Sequence, residues 1–243
     1  TGLGIIASAL IVPPLSWPGA WVALAMAALL GNAVMARGTR SLAAPPAAAP
    51  ARGEGFRARD FAFGLLGYLM FGLGYIGYMT FIVTLLREQG VGGAVIVAFY
   101  VLLGAGVIAS SWLWAPLLQR YRGGQPLAVL DALLAVATLL PVASAHPVAV
   151  FASGALFGAV FLSVVASTTV LVRHNLPPAA WPAGIAAFTI VFAGGQIVGP
   201  VLVGWVADGP GGLVRGLALS AGVLALGALL ASRQRALPNA PAH

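Results

Sequence analysis

The chain contains no cysteine and no lysine, and it has few charged residues of either sign. Without cysteine, disulfides, thiol chemistry and cysteine-based zinc sites are excluded. Without lysine, a phosphate-binding P-loop is excluded, because its lysine must reach the terminal phosphates. Only 7% of the 243 residues are charged and 60% are hydrophobic, whereas soluble domains have about 25% charged residues. A soluble chain of this size could not cover its surface with so little charge, so the composition predicts a polytopic membrane protein.

Long apolar runs predict an all-α bundle of membrane helices, since about 20 mostly apolar residues cross a bilayer. The segment 38–58, rich in Ala, Pro, Gly and Arg, predicts a flexible, solvated linker. It separates two helices in 1–37, the first of them shortened, from a six-helix bundle in 59–232, which is followed by a tail in 233–243. Eight spans are predicted: 1–14, 18–36, 60–86, 92–117, 125–144, 147–172, 182–207 and 212–232.

The twelve arginines divide unevenly between the two sides of these spans. Ten lie in the linker, the tail and the loops of one side, whereas only Arg87 and Arg215 lie on the other. The positive-inside rule therefore predicts that the first side, with both ends of the chain, faces the cytoplasm. The net charge of +7 follows from this topology. It does not indicate nucleic-acid binding, which requires the basic residues to share one face.

An offset of 89 residues superposes the apolar span beginning at 92 on the span beginning at 182. These two spans run in opposite directions across the membrane, so two three-helix units of inverted topology would produce the match. The identical pairs are Ala94–Ala183, Ile96–Ile185, Ala98–Ala187, Phe99–Phe188, Gly106–Gly195 and Ile108–Ile197, with Gly123–Gly212 beyond the spans.

Three stretches carry a resemblance to a known family. "WAPLLQRYRGG" (114–124) is similar to the Gly–Asp–Arg–Gly–Arg loop of major facilitator superfamily transporters, with Gln119 where an acid is usual. "FGLGYIGYMTFIV" (71–83) and the stretch from 176 to 212 resemble the YbfB/YjiJ-type branch of that superfamily. The resemblance covers nearly the whole chain and matches it to about helices 5–12. It implies that the chain is a fragment, with the C-terminal six-helix half and two helices of the N-terminal half.

The resemblance also implies a function. We expect a secondary transporter that moves a small solute by alternating access, usually with ion coupling, in a bacterial inner membrane. Its expected partners are the lipid bilayer, a small-molecule substrate and the missing N-terminal half, without which the fragment should be inactive. No cofactor, metal site or nucleic acid is expected. The alternatives are a structural membrane subunit and, less favoured, a membrane enzyme, for which the chain offers no cluster of catalytic residues.

Four polar residues inside spans are predicted to line the substrate cavity: Tyr68, Tyr75, Thr189 and Gln196. Gln196 is the only amide deep in a span, and an interhelical hydrogen bond is an equally favoured interpretation of it. Beside it, Gly195, Gly199 and Pro200 predict close packing and a flexible point in the helix, because proline cannot donate to the carbonyl four residues earlier.

The remaining candidates lie closer to the cytoplasmic side. Asp131, the only acid well inside a span, is either a coupling group or, as its shallow position favours, a structural partner of Arg120 or Arg122. A cytoplasmic gate loop is predicted at Arg120, Arg122, Gly123 and Gly124. "GLGYIG" (72–77) matches a dinucleotide-binding pattern, but it lies inside an apolar span without the strand that such a site requires.

Overall fold

The computed structural model describes residues 2–40 and 55–238, and every regular element in these ranges is helical. The predicted all-α membrane bundle is therefore confirmed. Within these two ranges, seven helices are long and apolar enough to cross a membrane. Residues 41–54 of the predicted linker and 239–243 of the tail lie outside the described residues. The α-helices are α1 (Gly2–Thr39), α2 (Ala62–Glu88), α3 (Gly93–Leu113), α4 (Ala115–Arg120), α5 (Gln125–Ala143), α6 (Pro147–Asn175), α7 (Trp181–Ala207) and α8 (Gly212–Ser232).

The structure differs from the prediction in its first segment. Two helices were predicted, at 1–14 and 18–36, but α1 is one continuous helix that passes through Pro13, Pro14 and Pro18. These prolines remove backbone donors, yet the residues between them include only one polar side chain, Ser16. An apolar segment that left the helix would expose unpaired backbone groups to lipid, so continuing the helix costs less. In the part of the chain that the structure describes, Pro18–Thr39 is the part of α1 that qualifies as a candidate span, which gives seven candidate spans where eight were predicted.

The second span of the six-helix bundle is interrupted near its end. The span Gly93–Arg120 breaks at Trp114, where α3 stops and α4 begins. Pro116, in the first turn of α4, cannot donate to the carbonyl of residue 112, which explains the break. At the break, the Trp114 indole donates a hydrogen bond to the Ala159 carbonyl of α6, at 2.6 Å. This bond joins the interrupted span to α6.

The helices of the bundle pack as two related groups of three. When α2, α3 and α5 are matched with α6, α7 and α8, the packing of α3 on α6 corresponds to that of α2 on α7. In the same way, the packing of α5 on α6 corresponds to that of α2 on α8. Successive spans alternate in direction, so α3 and α7 run oppositely. The pattern of contacts is therefore that of an inverted repeat.

Individual contacts repeat as well. A Cβ on Gly195 of α7 would stand 2.8 Å from the Leu69 carbonyl oxygen and 2.9 Å from the Leu73 nitrogen of α2. A Cβ on Gly106 of α3 would stand 2.9 Å from the carbonyl oxygen of Ala155 and 2.8 Å from the nitrogen of Ala159, both in α6. These α6 residues follow Leu69 and Leu73 by the same 86 positions. The repeat read from the sequence thus extends to matched backbone contacts.

Candidate functional site

The centre of the candidate site is a side-chain pair that joins α7 to α2. The Gln196 amide donates a hydrogen bond to the Tyr75 hydroxyl. Tyr75 is buried, whereas Gln196 is half-buried and its carboxamide oxygen accepts no hydrogen bond from the described residues. Two of the four residues predicted to line the cavity are therefore in direct contact. The interhelical bond considered as an alternative for Gln196 is present, and it leaves one polar atom of the amide without a protein partner.

Glycines bring the two helices close enough for this pair to form. Gly195 and Gly199 both face α2, where a Cβ on Gly199 would stand 2.6 Å from the Leu73 carbonyl oxygen. These distances leave no room for a side chain, so the α7 backbone lies directly on the α2 backbone. Pro200 lies within the continuous helix α7. The close packing expected of this segment is present, and its flexibility stays a prediction.

Stacked aromatic rings surround the pair. We call Tyr68, Phe71 and Tyr75 of α2, Phe161 of α6 and Phe192 of α7 the aromatic wall. The Phe192 ring lies 5.1 Å from Tyr68, 5.5 Å from Phe71 and 5.6 Å from Tyr75 between centroids, at interplanar angles of at most 21°. The Phe161 ring also stacks on Tyr75, at 6.0 Å between centroids.

The aromatic wall reaches from the core to the bundle surface. Tyr68 and Phe71 are buried, while Phe161 and Phe192 are half-buried. Its rings offer apolar contact and π-faces that attract organic cations. The Tyr75 hydroxyl and the Gln196 amide are two polar groups beside these rings. The arrangement can therefore hold a largely apolar or amphipathic solute and orient it through one or two hydrogen bonds.

The other two predicted cavity residues are placed differently. Tyr68 belongs to the aromatic wall and also meets the Phe188 ring edge-on, at 5.9 Å. Thr189 is exposed, and its hydroxyl donates back to the Ile185 carbonyl of its own helix at 2.9 Å. The structure thus brings Tyr68, Tyr75 and Gln196 into one cluster and leaves Thr189 on the outer surface of α7.

Asp131 does not have the ion-pair partner that was favoured for it. Arg120 and Arg122 are both exposed, and within residues 2–40 and 55–238 the only ion pair joins Arg59 to Asp60. The Asp131 side chain is fully buried and neither carboxyl oxygen has a hydrogen-bond partner among the described residues. Its Oδ2 lies 3.1 Å from where a Cβ on Gly227 of α8 would stand. The carboxyl faces the α5–α8 interface, which explains why the loop arginines do not pair with it.

The predicted gate loop is tied to its surroundings through its backbone. Gly123 and Gly124 are buried, and the Gly124 nitrogen donates to the Gln234 carbonyl at 2.9 Å. The Arg122 carbonyl accepts from the Asn175 amide at 2.7 Å. Arg120 lies 5.8 Å from the centroid of the Tyr121 ring. The arginine side chains therefore stay at the surface while the loop backbone is fixed.

One comparison with known proteins identifies the chain. The family model described as "Uncharacterised MFS-type transporter YbfB" matches residues 1–232. The chain belongs to this family of major facilitator superfamily transporters. No curated protein and no solved structure matches it. With its seven candidate spans, this MFS-type protein is an integral membrane transporter.

Several residues of the candidate site were not predicted from the sequence. Phe71, Phe161 and Phe192 complete the aromatic wall. The spacing of aromatics at 68, 71, 75 and 78 is a signal that could have found Phe71, whereas Phe161 and Phe192 lie on other helices and have no such signal. Gln234 and Asn175, which hold the gate loop, were not candidates, because Gln234 falls in the predicted tail and Asn175 lies beyond the predicted span 147–172. Two amides among arginines give no signal that they are buried, so only the packing revealed them.

Proposed function

We propose that this protein is a secondary active transporter that moves a small solute by alternating access. The observation that carries the proposal is the Tyr75–Gln196 hydrogen bond within the aromatic wall. The rings of this wall come from α2, α6 and α7, and α2 and α6 are the first helices of the two repeat units. Transporters commonly bind substrate near the bilayer midplane, at the interface between repeats. The uncharged wall supports a neutral or amphipathic organic substrate.

We assign ion coupling to Asp131. A buried carboxyl without a hydrogen-bond or ionic partner is costly at membrane depth, and such acids commonly mark ion or proton pathways. A Cβ on Gly227 of α8 would stand 3.1 Å from Asp131 Oδ2 and 3.1 Å from the Gly67 carbonyl oxygen of α2, so the carboxyl lies close to the part of α2 that carries Tyr68. Tyr68 also belongs to the aromatic wall, so a change of charge at Asp131 would be felt at the substrate site.

Alternating access requires a second group of helices against which the bundle can rock. The outer face of α7 supplies a surface for it, because Ile190, Ile197, Val201 and Trp205 are each at least 69% exposed. In the other repeat unit, the helix equivalent to α7 is α3, and α3 packs against α1. We therefore expect the N-terminal half of the same transporter to cover α7. The gate loop would close the cytoplasmic side through Arg120, Arg122, Gly123 and Gly124. Both chain ends would lie in the cytoplasm of a bacterial cell.

The 243 residues contain no cysteine, so a single-cysteine test that needs no known substrate can be made in the complete transporter after any cysteine of the N-terminal half is replaced by serine. A single cysteine is introduced by Gln196→Cys, and membrane-impermeant maleimide is added to oriented vesicles from either side. Under alternating access, the thiol reacts from both sides. Leu224→Cys, at a position fully buried in α8, and Ile197→Cys, on the outer face of α7, should not react. Membrane expression of each variant is measured in parallel.

The outcomes separate the hypotheses. Reaction from one side only would refute alternating access, and no reaction from either side would favour a structural membrane subunit. A second arm imposes a proton gradient, or a sodium gradient, across the vesicles. If Asp131 couples the motion to either ion, that gradient shifts the labelling of Gln196→Cys, and Asp131→Asn abolishes the shift. Asp208→Asn, at an exposed site in the α7–α8 loop, should keep it; a shift that survives Asp131→Asn would exclude this role.

A further inference from the structure

A second site lies at the arginine-rich end of the bundle, away from the aromatic wall. A pocket of about 610 Å³ opens where α2 begins and α8 ends. The segment that follows α8, from Arg233 to Pro238, forms one of its sides. Its charged lining residues are Arg59, Asp60, Arg233 and Arg235.

The pocket is positively charged. Three arginines against one aspartate leave a formal charge of +2. Asp60 lies 3.6 Å from Arg59, so it offsets that arginine. Arg233 and Arg235 are exposed and have no carboxylate partner among the described residues. The two free guanidinium groups are suited to the oxygens of a phosphate group.

The segment after α8 that carries Arg233 and Arg235 is fixed in place. Gln234, between them, is only 5% exposed, and its carboxamide oxygen accepts from the Gly64 nitrogen at 3.0 Å. Its amide nitrogen donates to the Asp60 carbonyl at 3.0 Å, and the Leu237 nitrogen donates to the Asn175 side chain at 2.7 Å. These bonds hold the segment after α8 against α2 and α6, so the shape of the pocket is set by the fold.

An apolar surface continues from the pocket along α2. Phe63 lines the pocket and is 46% exposed, and Leu66, one turn further along α2, is 44% exposed. Phe63 and Leu66 are three positions apart in α2, so they lie on one face of the helix and form an apolar strip that begins at the pocket. A cationic pocket that opens onto an apolar strip matches a phospholipid, which has an anionic head and apolar chains.

We propose that this pocket binds an anionic phospholipid. Arg233 and Arg235 hold the phosphodiester, and the acyl chains lie along Phe63 and Leu66. Basic pockets between membrane helices are known to bind anionic headgroups. Soluble phosphate would use the arginines but gain nothing from the apolar strip, and for this reason we assign the site to lipid. The bound lipid would clamp the segment after α8, and with it the gate loop that Gln234 holds.

The test is a lipid titration of the purified protein in detergent, followed by native mass spectrometry. The probes are phosphatidylglycerol, phosphatidylcholine and inorganic phosphate. We expect phosphatidylglycerol to bind more tightly than phosphatidylcholine. Each arginine near a membrane surface contributes about fivefold in affinity for anionic lipid, so Arg233→Gln/Arg235→Gln should lose about 25-fold. Arg37→Gln/Arg57→Gln makes the same charge change on exposed residues outside the pocket, and it should bind phosphatidylglycerol like the wild type.

Folding is checked by thermal unfolding without added lipid, and the single variant Arg235→Gln, with an expected loss of about fivefold, serves if the double variant is unstable. Equal binding of the two lipids would overturn the proposal, as would unchanged binding by the variants. If inorganic phosphate displaced phosphatidylglycerol at comparable concentrations, the pocket would be a site for soluble anions instead. Affinity lost equally in the control variant would indicate general surface charge.

Discussion

Gly195→Ala is the most direct test of how α7 packs on α2. The added Cβ would stand 2.8 Å from the Leu69 carbonyl oxygen, 2.9 Å from the Leu73 nitrogen and 3.0 Å from the Gly72 carbonyl carbon. All three atoms belong to the α2 backbone, so no flexible side chain can move aside. The helices must separate by several tenths of an ångström, which would stretch the Tyr75–Gln196 bond and open the stack around Phe192.

The expected cost is about 1–3 kcal/mol, the usual cost of forcing an extra methyl group into a packed interface. The adjacent residue supplies the control, because a Cβ on Gly194 would meet nothing within 4 Å. Both substitutions gain the same helix propensity, about 0.5–1 kcal/mol relative to glycine. The difference between the two variants therefore isolates the steric effect.

The measurement is the free energy of unfolding of each purified variant in the same detergent. Gly195→Ala should be less stable than Gly194→Ala by about 1–3 kcal/mol, and Gly106→Ala, at the equivalent site of the other repeat, should behave like Gly195→Ala. If Gly195→Ala were as stable as Gly194→Ala, the direct contact between the two backbones would be refuted. If Gly106→Ala alone were neutral, the equivalence of the two repeats would fail.

Two further predictions concern buried hydrogen bonds. The Ser153 hydroxyl donates its only proton to the Ala137 carbonyl. The fully buried Tyr78 hydroxyl must therefore donate to Ser153, 2.6 Å away. Ser153→Ala should lower the free energy of unfolding by about 1–3 kcal/mol. A double-mutant cycle with Tyr78→Phe should then give a coupling energy of about 0.6–1.7 kcal/mol, and a coupling of zero would contradict the bond. Gln234→Ala should speed hydrogen exchange at Gly64 and in residues 233–238, measured by mass spectrometry. The exposed Gln119→Ala should not, and equal rates in both variants would refute the role of Gln234.

Much of the membrane architecture follows from the sequence because lipid permits few alternatives. Apolar runs of spanning length must form helices, since no water is present to satisfy the backbone in any other way. The six spans after the linker were predicted for this reason. The continuity of α1 through Pro13, Pro14 and Pro18 was not predicted, because proline weakens a helix without deciding whether the neighbouring residues leave it.

The candidate site was only partly predictable. An amide deep in an apolar helix is costly unless it has a partner, so Gln196 stood out in the sequence before its partner was known. The Thr189 hydroxyl, by contrast, donates its hydrogen bond to a carbonyl of its own helix, and nothing in the surrounding sequence indicates this. For Asp131, nearness to Arg120 and Arg122 along the chain indicated an ion pair, yet the rotation of α5 turns the carboxyl toward α8.

The sequence by itself determined the membrane class, the helices of the bundle, the arginine asymmetry and the positions where glycine allows close contact. These depend on composition and on local order along the chain. Only the tertiary structure decided that Gln196 meets Tyr75, that five rings from three helices stack as one wall, and that Gln234 joins the segment after α8 to the gate loop. The physical reason is that these contacts depend on how each helix is rotated about its axis. In a chain so uniformly apolar, hydrophobic periodicity says little about that rotation.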